Sequence, residues 1–302
     1  MITNISHQLI SNFYKKPLTR LFYYIALYFK EDNEMRKKYL LLMIVGCLIL
    51  ASCAKNEKQN TEKNEEQKTE QKAETQSISL FAAASLEESL AKIIPEFEKE
   101  NNVKVDVNLA SSGKLQKQIE QKAPCDVFVS AGQKQVKALE EKELVKDSKS
   151  LLKNKLVIVK NKETDVTIFK IEDLENIKGK IAVAELETVP VGQYTKDSLA
   201  HYNLLDKLQE KFVYGKNVKD TLRFVDSKEA EVGFVYSSDA VTDEKVEVAF
   251  NVDGSSHKPI IYPITKTTYS KNTEMQNKLY EFLQNELSEK YFKEAGFESS
   301  HE

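Results

Sequence analysis

From residue 77 onward the apolar positions switch repeatedly between a period of two and a period of 3.6. Ile78-Ser-Leu-Phe81 predicts a strand, and Leu86, Leu90, Ile93, Ile94 and Phe97 then fall at helical spacing. Ser85 and Glu88 stand in the S-x-x-E pattern of a capping box at the start of that helix, and Pro95 predicts a kink within it. Val103, Val105, Val107 and Leu109 alternate as a strand does. A helix through Leu115 and Ile119 opens at Ser111-Ser-Gly113. The strand Asp126-Val-Phe-Val129 and a helix over 133–142 follow.

The same alternation continues. Strands are predicted at Leu156-Val-Ile-Val159, Ile181-Ala-Val-Ala184, Val232-Gly-Phe-Val-Tyr236, Val246 to Phe250 and Pro259 to Thr265. Helices are predicted over 193–201, 205–212 and 218–226, the first entered through a turn at Val189-Pro-Val-Gly192. Met275, Leu279, Phe282, Leu283 and Leu287 mark one closing helix, with a last turn ending at Gly296. Strand–helix alternation predicts an α/β protein with parallel sheets covered by helices, and the length of 77–302 suggests two such lobes. No internal repeat is visible.

The amino-terminal part has a different pattern. Arg36, Lys37 and Lys38 precede an apolar run from Tyr39 to Leu50, too short to span a bilayer comfortably and fitting a secretory signal over 35–52. It ends in Leu50-Ala51-Ser52-Cys53, which resembles the lipobox of bacterial lipoproteins and marks Cys53 as the lipid-bearing residue. Met35 is a natural start for such a signal, so 1–34 reads as a mis-called upstream extension, with a real amino-terminal extension as the alternative. Residues 54–76 carry no large apolar residue and cannot offset their ordering entropy by burial, which predicts a flexible charged tether.

Composition sharpens this picture. The chain has 302 residues, 41% hydrophobic and 30% charged, with a formal charge of −3. Residues 1–52 hold seven of the 44 Lys/Arg and three of the 47 Asp/Glu, which leaves 37 and 44 for 53–302, a net of −7. No basic field draws such a globule to nucleic acid. Cys47 lies in the signal and Cys53 is the lipid site, so Cys125 is the one cysteine left for the globule and reads as a small packing residue. His7, His201, His257 and His301 are scattered, and no phosphate-binding glycine loop, zinc motif or nucleophile elbow occurs.

What the loops do offer is helix starts. Ser85, Ser111 and Ser112, the Val189–Gly192 turn, Asn217-Val218, and Ser237 with Ser238 all lie where the chain enters a helix. A helix start exposes unpaired N–H groups and the positive end of the dipole, and serine hydroxyls add donors. Several converging starts would bind an anion without an ionic partner.

Residues 77–302 resemble the molybdate-binding receptors of bacterial ABC importers. The resemblance rests on Leu80-Phe-Ala-Ala-Ala-Ser-Leu86, Ala110-Ser-Ser-Gly113, Ala123-Pro-Cys-Asp-Val-Phe-Val-Ser-Ala131, Val189-Pro-Val-Gly-Gln-Tyr194, Lys216-Asn-Val-Lys219 and Gly233-Phe-Val-Tyr-Ser-Ser-Asp-Ala240, in family order. It implies a bilobal type II periplasmic-binding-protein fold: two mixed, mostly parallel sheets flanked by helices, with a ligand cleft between lobes. Residues 77–156 and 259–302 would form the first lobe and 157–258 the second. The resemblance further implies that Ser85 and Ser112 contact the oxyanion through hydroxyl and N–H, Val191 and Val218 through N–H, and Tyr236 through its phenol. Val191 stands where the family commonly has Ala. Gly113 and Cys125 replace Ser and Ala, and Gly113 would loosen the loop that carries Ser112. The implied protein is no enzyme and has no cofactor or metal ion. It is an exported, lipid-anchored monomer that takes molybdate or tungstate and delivers it to a permease with its ATPase. A sulfate or phosphate receptor, an enzyme on the same fold and a sensor are the alternatives.

Overall fold

The computed structural model describes residues 77–300, so the signal, the lipid site at Cys53, the tether and the 1–34 extension lie outside the described residues. The described chain forms two mixed sheets with helices on their faces. The first sheet has the order β11-β4-β10-β3-β1-β2, from strands β1 (Ser77–Ala83), β2 (Lys104–Ala110), β3 (Val127–Val129), β4 (Val145–Asn154), β10 (Ile260–Thr267) and β11 (Glu298–Ser299). The second has the order β7-β6-β8-β5-β9, from β5 (Leu156–Asn161), β6 (Ile181–Ala184), β7 (Phe212–Gly215), β8 (Val232–Tyr236) and β9 (Val246–Asn251). β1 runs parallel to β2 and β3, and β6 parallel to β7 and β8. The five other pairings are antiparallel, so the parallel share is smaller than the strand–helix alternation suggests.

On the first lobe lie α1 (Glu87–Asn101), α2 (Ser112–Glu120), α3 (Gln133–Glu140), α8 (Thr273–Phe282) and α9 (Glu286–Glu294). On the second lie α4 (Pro190–His201), α5 (Leu205–Leu208), α6 (Val218–Asp226) and α7 (Ser237–Thr242). α1 runs through Pro95 and buries Leu90, Ile93, Ile94 and Phe97 on one face, as its periodicity requires. The chain leaves the first sheet after Asn154 and enters the second at Leu156. It returns between Asn251 and Ile260. Asn154 pairs with Ile260, so the two crossings lie side by side.

Several local expectations change. Ser85 does not cap α1: it sits in a 3-10 turn, Ala84–Leu86, and no side chain caps the helix. Val189–Gly192 is not a separate turn, because α4 begins at Pro190, where the missing N–H costs nothing and the fixed φ suits a helix. Ser237 and Ser238 open α7 without capping it. The closing helix is two helices. Asn285 interrupts it by accepting from the Ser288 N–H at 2.8 Å, which starts α9 afresh. Gly296 ends that helix with φ of 85°, a conformation that favours glycine.

The core is continuous from α1 to α8 and α9. Phe97 is fully buried and meets Phe282 edge-to-face, centroids 5.2 Å apart. Phe97→Ala should lower unfolding free energy by about 3–5 kcal/mol, read as a lower urea midpoint with an unchanged slope.

Candidate functional site

One small cavity lies where the two lobes meet. Ser85, Ser112, Val191, Val218 and Tyr236 all line it, each almost completely buried. Its water-accessible volume of about 10 Å³ is the space of roughly one water, far too small for a sugar or a nucleotide. Every side chain in the lining is uncharged.

The donors arise from how the helices begin. The first intrahelical bonds are donated by Leu115 to Ser111, by Gln193 to Val189 and by Thr221 to Asn217. The N–H groups of Ser112, Val191 and Val218 precede those bonds and are therefore among the orphan donors of their helices. α6 starts cleanly because Asn217 Oδ1 accepts from the Asp220 N–H at 2.9 Å, which leaves the Val218 N–H out of that cap. A β-branched Val191 costs nothing as a backbone donor. These three starts thus combine with the hydroxyls into a wall of uncharged donors.

The side-chain donors are oriented. Ser112 Oγ accepts from the Ala131 N–H at 2.9 Å, so its own proton is left to donate. Ser85 Oγ lies 2.9 Å from Tyr262 Oη. Tyr236 Oη donates across the lobes to the Ala131 carbonyl at a long 3.5 Å. Burial, helped by Tyr262, Tyr194 and Asp239 nearby, pushes the Tyr236 phenol well above its ordinary range, so it stays a neutral donor. Ser237 and Ser238, expected among the donors, turn instead to Asn154, at 2.9 Å each.

The lobes are closed on one another. A Cβ at Gly113 would lie 2.0 Å from the Thr188 carbonyl oxygen of the second lobe. Gly113 occupies the first turn of α2; it does not loosen the loop, as the sequence suggested, but makes room for the opposite backbone. Lys219 of α6 reaches Glu88 of α1 at 2.7 Å and Asp239 of α7 at 3.1 Å. Burial raises the Asp239 carboxyl to about 6 against the pull of Lys219. Burial also lowers Lys219, but Asp239 and Glu88 outweigh it and hold the ammonium above its ordinary value. The cation next to the cavity is thus committed to carboxylates. Glu88, expected in a capping box, is the interlobe partner.

Among the described residues no group of three or more His, Cys, Asp or Glu is placed to hold a metal ion, and no helix is long and apolar enough to cross a membrane. Cys125 is buried, which pushes its thiol up, and its Sγ donates to the Val127 carbonyl at 3.4 Å. Tyr262 and Asn154 were not legible as site residues, because each is one polar position in an otherwise structural strand.

Two α/β lobes closing on a small, uncharged, donor-lined cavity define a solute-binding protein. The family of bacterial extracellular solute-binding proteins matches residues 78–298, and the chain belongs to it. It is 33% identical over 268 residues to a putative ABC transporter substrate-binding lipoprotein, YvgL, of Bacillus subtilis, covering 87% of this chain and 99% of that one. It is 35% identical over 227 residues to the molybdate-binding protein ModA of Haemophilus influenzae, covering 73% and 89%. Among solved structures, the substrate-binding domain of a putative molybdenum ABC transporter from Clostridium difficile is 44% identical, with a TM-score of 0.59 over 74% of this chain and 99% of that one.

Two outcomes test the closed geometry. Gly113→Ala should weaken affinity for a compact oxyanion at least tenfold in titration calorimetry while leaving the thermal midpoint of the unliganded protein unchanged or higher, since Ala favours a helix over Gly by about 1 kcal/mol. Lys219→Met leaves Asp239 buried without its cation and should cost about 3–5 kcal/mol of stability. Glu88→Gln, at a half-exposed group, should cost less than about 1 kcal/mol; calorimetric melting separates the two.

Proposed function

We propose that the protein is an extracytoplasmic receptor that captures molybdate between its lobes and hands it to an ABC permease and its ATPase, with tungstate as a near-equivalent ligand. The observation that carries this reading is the cavity shared by Ser85 and Tyr236, to which both lobes contribute only uncharged side chains. Ser85 and Ser112 donate from the first lobe; Val191, Val218 and Tyr236 donate from the second. The likeness to the molybdate-binding protein of Haemophilus influenzae and to the putative molybdenum transporter domain of Clostridium difficile supports the choice of molybdate.

The chemistry favours this ligand class. The globule is acidic overall, so its net field repels a dianion, and affinity must come from local dipoles in a closed cavity. Each hydrogen bond to a charged group is worth about 1.5–3 kcal/mol there. A wall of donors selects a fully deprotonated oxyanion, because a protonated one brings an O–H that finds no acceptor, at a cost of about 1–3 kcal/mol. Cavity size then separates molybdate from the smaller sulfate, and tungstate, of nearly equal size and charge, is accepted.

The lobes are taken as 77–156 with 259–302, and 157–258. Ligand bridges them and favours the closed state. In this reading the protein binds its ligand unchanged, held by the hydroxyl, amide and aliphatic groups that line the cavity. It works as a monomer, exported and tethered through a lipid on Cys53, a reading supported by the lipoprotein description of the Bacillus subtilis relative.

Native mass spectrometry of residues 77–302 with molybdate, tungstate, sulfate and phosphate offered together should show one bound molybdate or tungstate. Ser85→Ala and Tyr236→Phe should each weaken molybdate about ten- to a hundredfold. Equal occupancy by sulfate, or unchanged affinity in both variants, would refute the assignment.

A further inference from the structure

We infer that Tyr262, held by Asn154, is a positioning residue that aims the proton of Ser85 into the cavity; this rests on the oxyanion reading above. The direction of each hydrogen bond in the cluster follows from groups that can only donate. The Lys155 backbone N–H donates to Asn154 Oδ1 at 2.9 Å, which fixes the amide oxygen on that side. Ser237 Oγ donates to the same oxygen at 2.9 Å. The amide nitrogen therefore faces the other way, and donates to Ser238 Oγ at 2.9 Å and to Tyr262 Oη at 3.4 Å.

The phenol oxygen, accepting from Asn154, keeps its proton to donate. Its nearest partner is Ser85 Oγ, at 2.9 Å, and the Tyr236 phenol is also close. With that acceptor site filled, the Ser85 proton is left for the cavity that Ser85 lines. The opposite polarity, Ser85 donating to Tyr262, would leave the phenol proton only the Tyr236 phenol as a partner, in a fully buried position. Burial raises the Tyr262 phenol well above its ordinary range, so the proton stays in place. Ser112 reaches the same state by a shorter route, through the Ala131 N–H.

The location adds a second role. Asn154 ends β4 at one crossing between lobes, and Tyr262 follows the other crossing in β10. Ser237 and Ser238 directly follow Tyr236 on the second lobe. One buried set of hydrogen bonds thus joins a donor of the first lobe, both crossing strands and the element next to a donor of the second.

A double-mutant cycle on residues 77–302 tests this by molybdate calorimetry, with thermal melting as a fold control. Phe at 262 keeps the ring that packs edge-on against Phe297, 5.3 Å away. Tyr262→Phe should weaken molybdate about three- to tenfold. In a Ser85→Ala background the same change should have no further effect, which a merely structural role for Tyr262 would not produce. An equal loss in both backgrounds, or no loss beside a damaging Ser85→Ala, would overturn the proposal alone. A neutral Ser85→Ala would overturn the site reading and the proposal together.

Discussion

The structure turns on bringing neutral N–H and O–H groups to a point where no cation waits. A helix start carries its unpaired donors and about half a positive charge in fixed geometry, and neither needs a counter-ion. Three such starts, at Ser112, Val191 and Val218, meet around one cavity with the hydroxyls of Ser85, Ser112 and Tyr236. Lysine would add charge but would also attract any anion and leave its protons less exactly aimed. Here Lys219, the cation next to the cavity, is tied to Glu88 and Asp239 instead.

The rest of the fold holds these donors in place and lets them part. Parallel pairs β1/β2, β1/β3, β6/β7 and β6/β8 each end near the helix starts that form the walls, as strand ends do in open α/β sheets. The antiparallel strands β4 and β10 carry the chain between lobes side by side. A donor wall split between two lobes binds strongly only when both close, so occupancy and conformation are one equilibrium. Close approach is permitted by small residues: Gly113 admits the Thr188 carbonyl, and Gly132 lies against Pro190.

Much of this was legible in the sequence. β6, β8 and α6 fall on the residues their apolar patterns mark, and the helix start at Val218 follows from the asparagine that caps it. β4 was not legible, because Val145-Lys-Asp-Ser-Lys-Ser alternates no apolar face; tertiary pairing with β10 makes it a strand. β7 and β11 are short edge strands of four and two residues, below the length at which periodicity speaks. Ser85 read as a cap because S-x-x-E is a local pattern, whereas its partner Tyr262 lies 177 residues away. The part played by Gly113 was hidden for the same reason: only the opposing lobe shows what a side chain there would strike.

The central claim is tested most directly by a crystal structure of residues 77–302 grown with molybdate, with the metal located by its anomalous scattering. The account predicts one peak in the interlobe cavity, its oxygens within hydrogen-bond distance of Ser85, Ser112, Val191, Val218 and Tyr236, and no ammonium or guanidinium in contact. A peak elsewhere, or oxygens coordinated by a lysine, an arginine or a second metal ion, would contradict it.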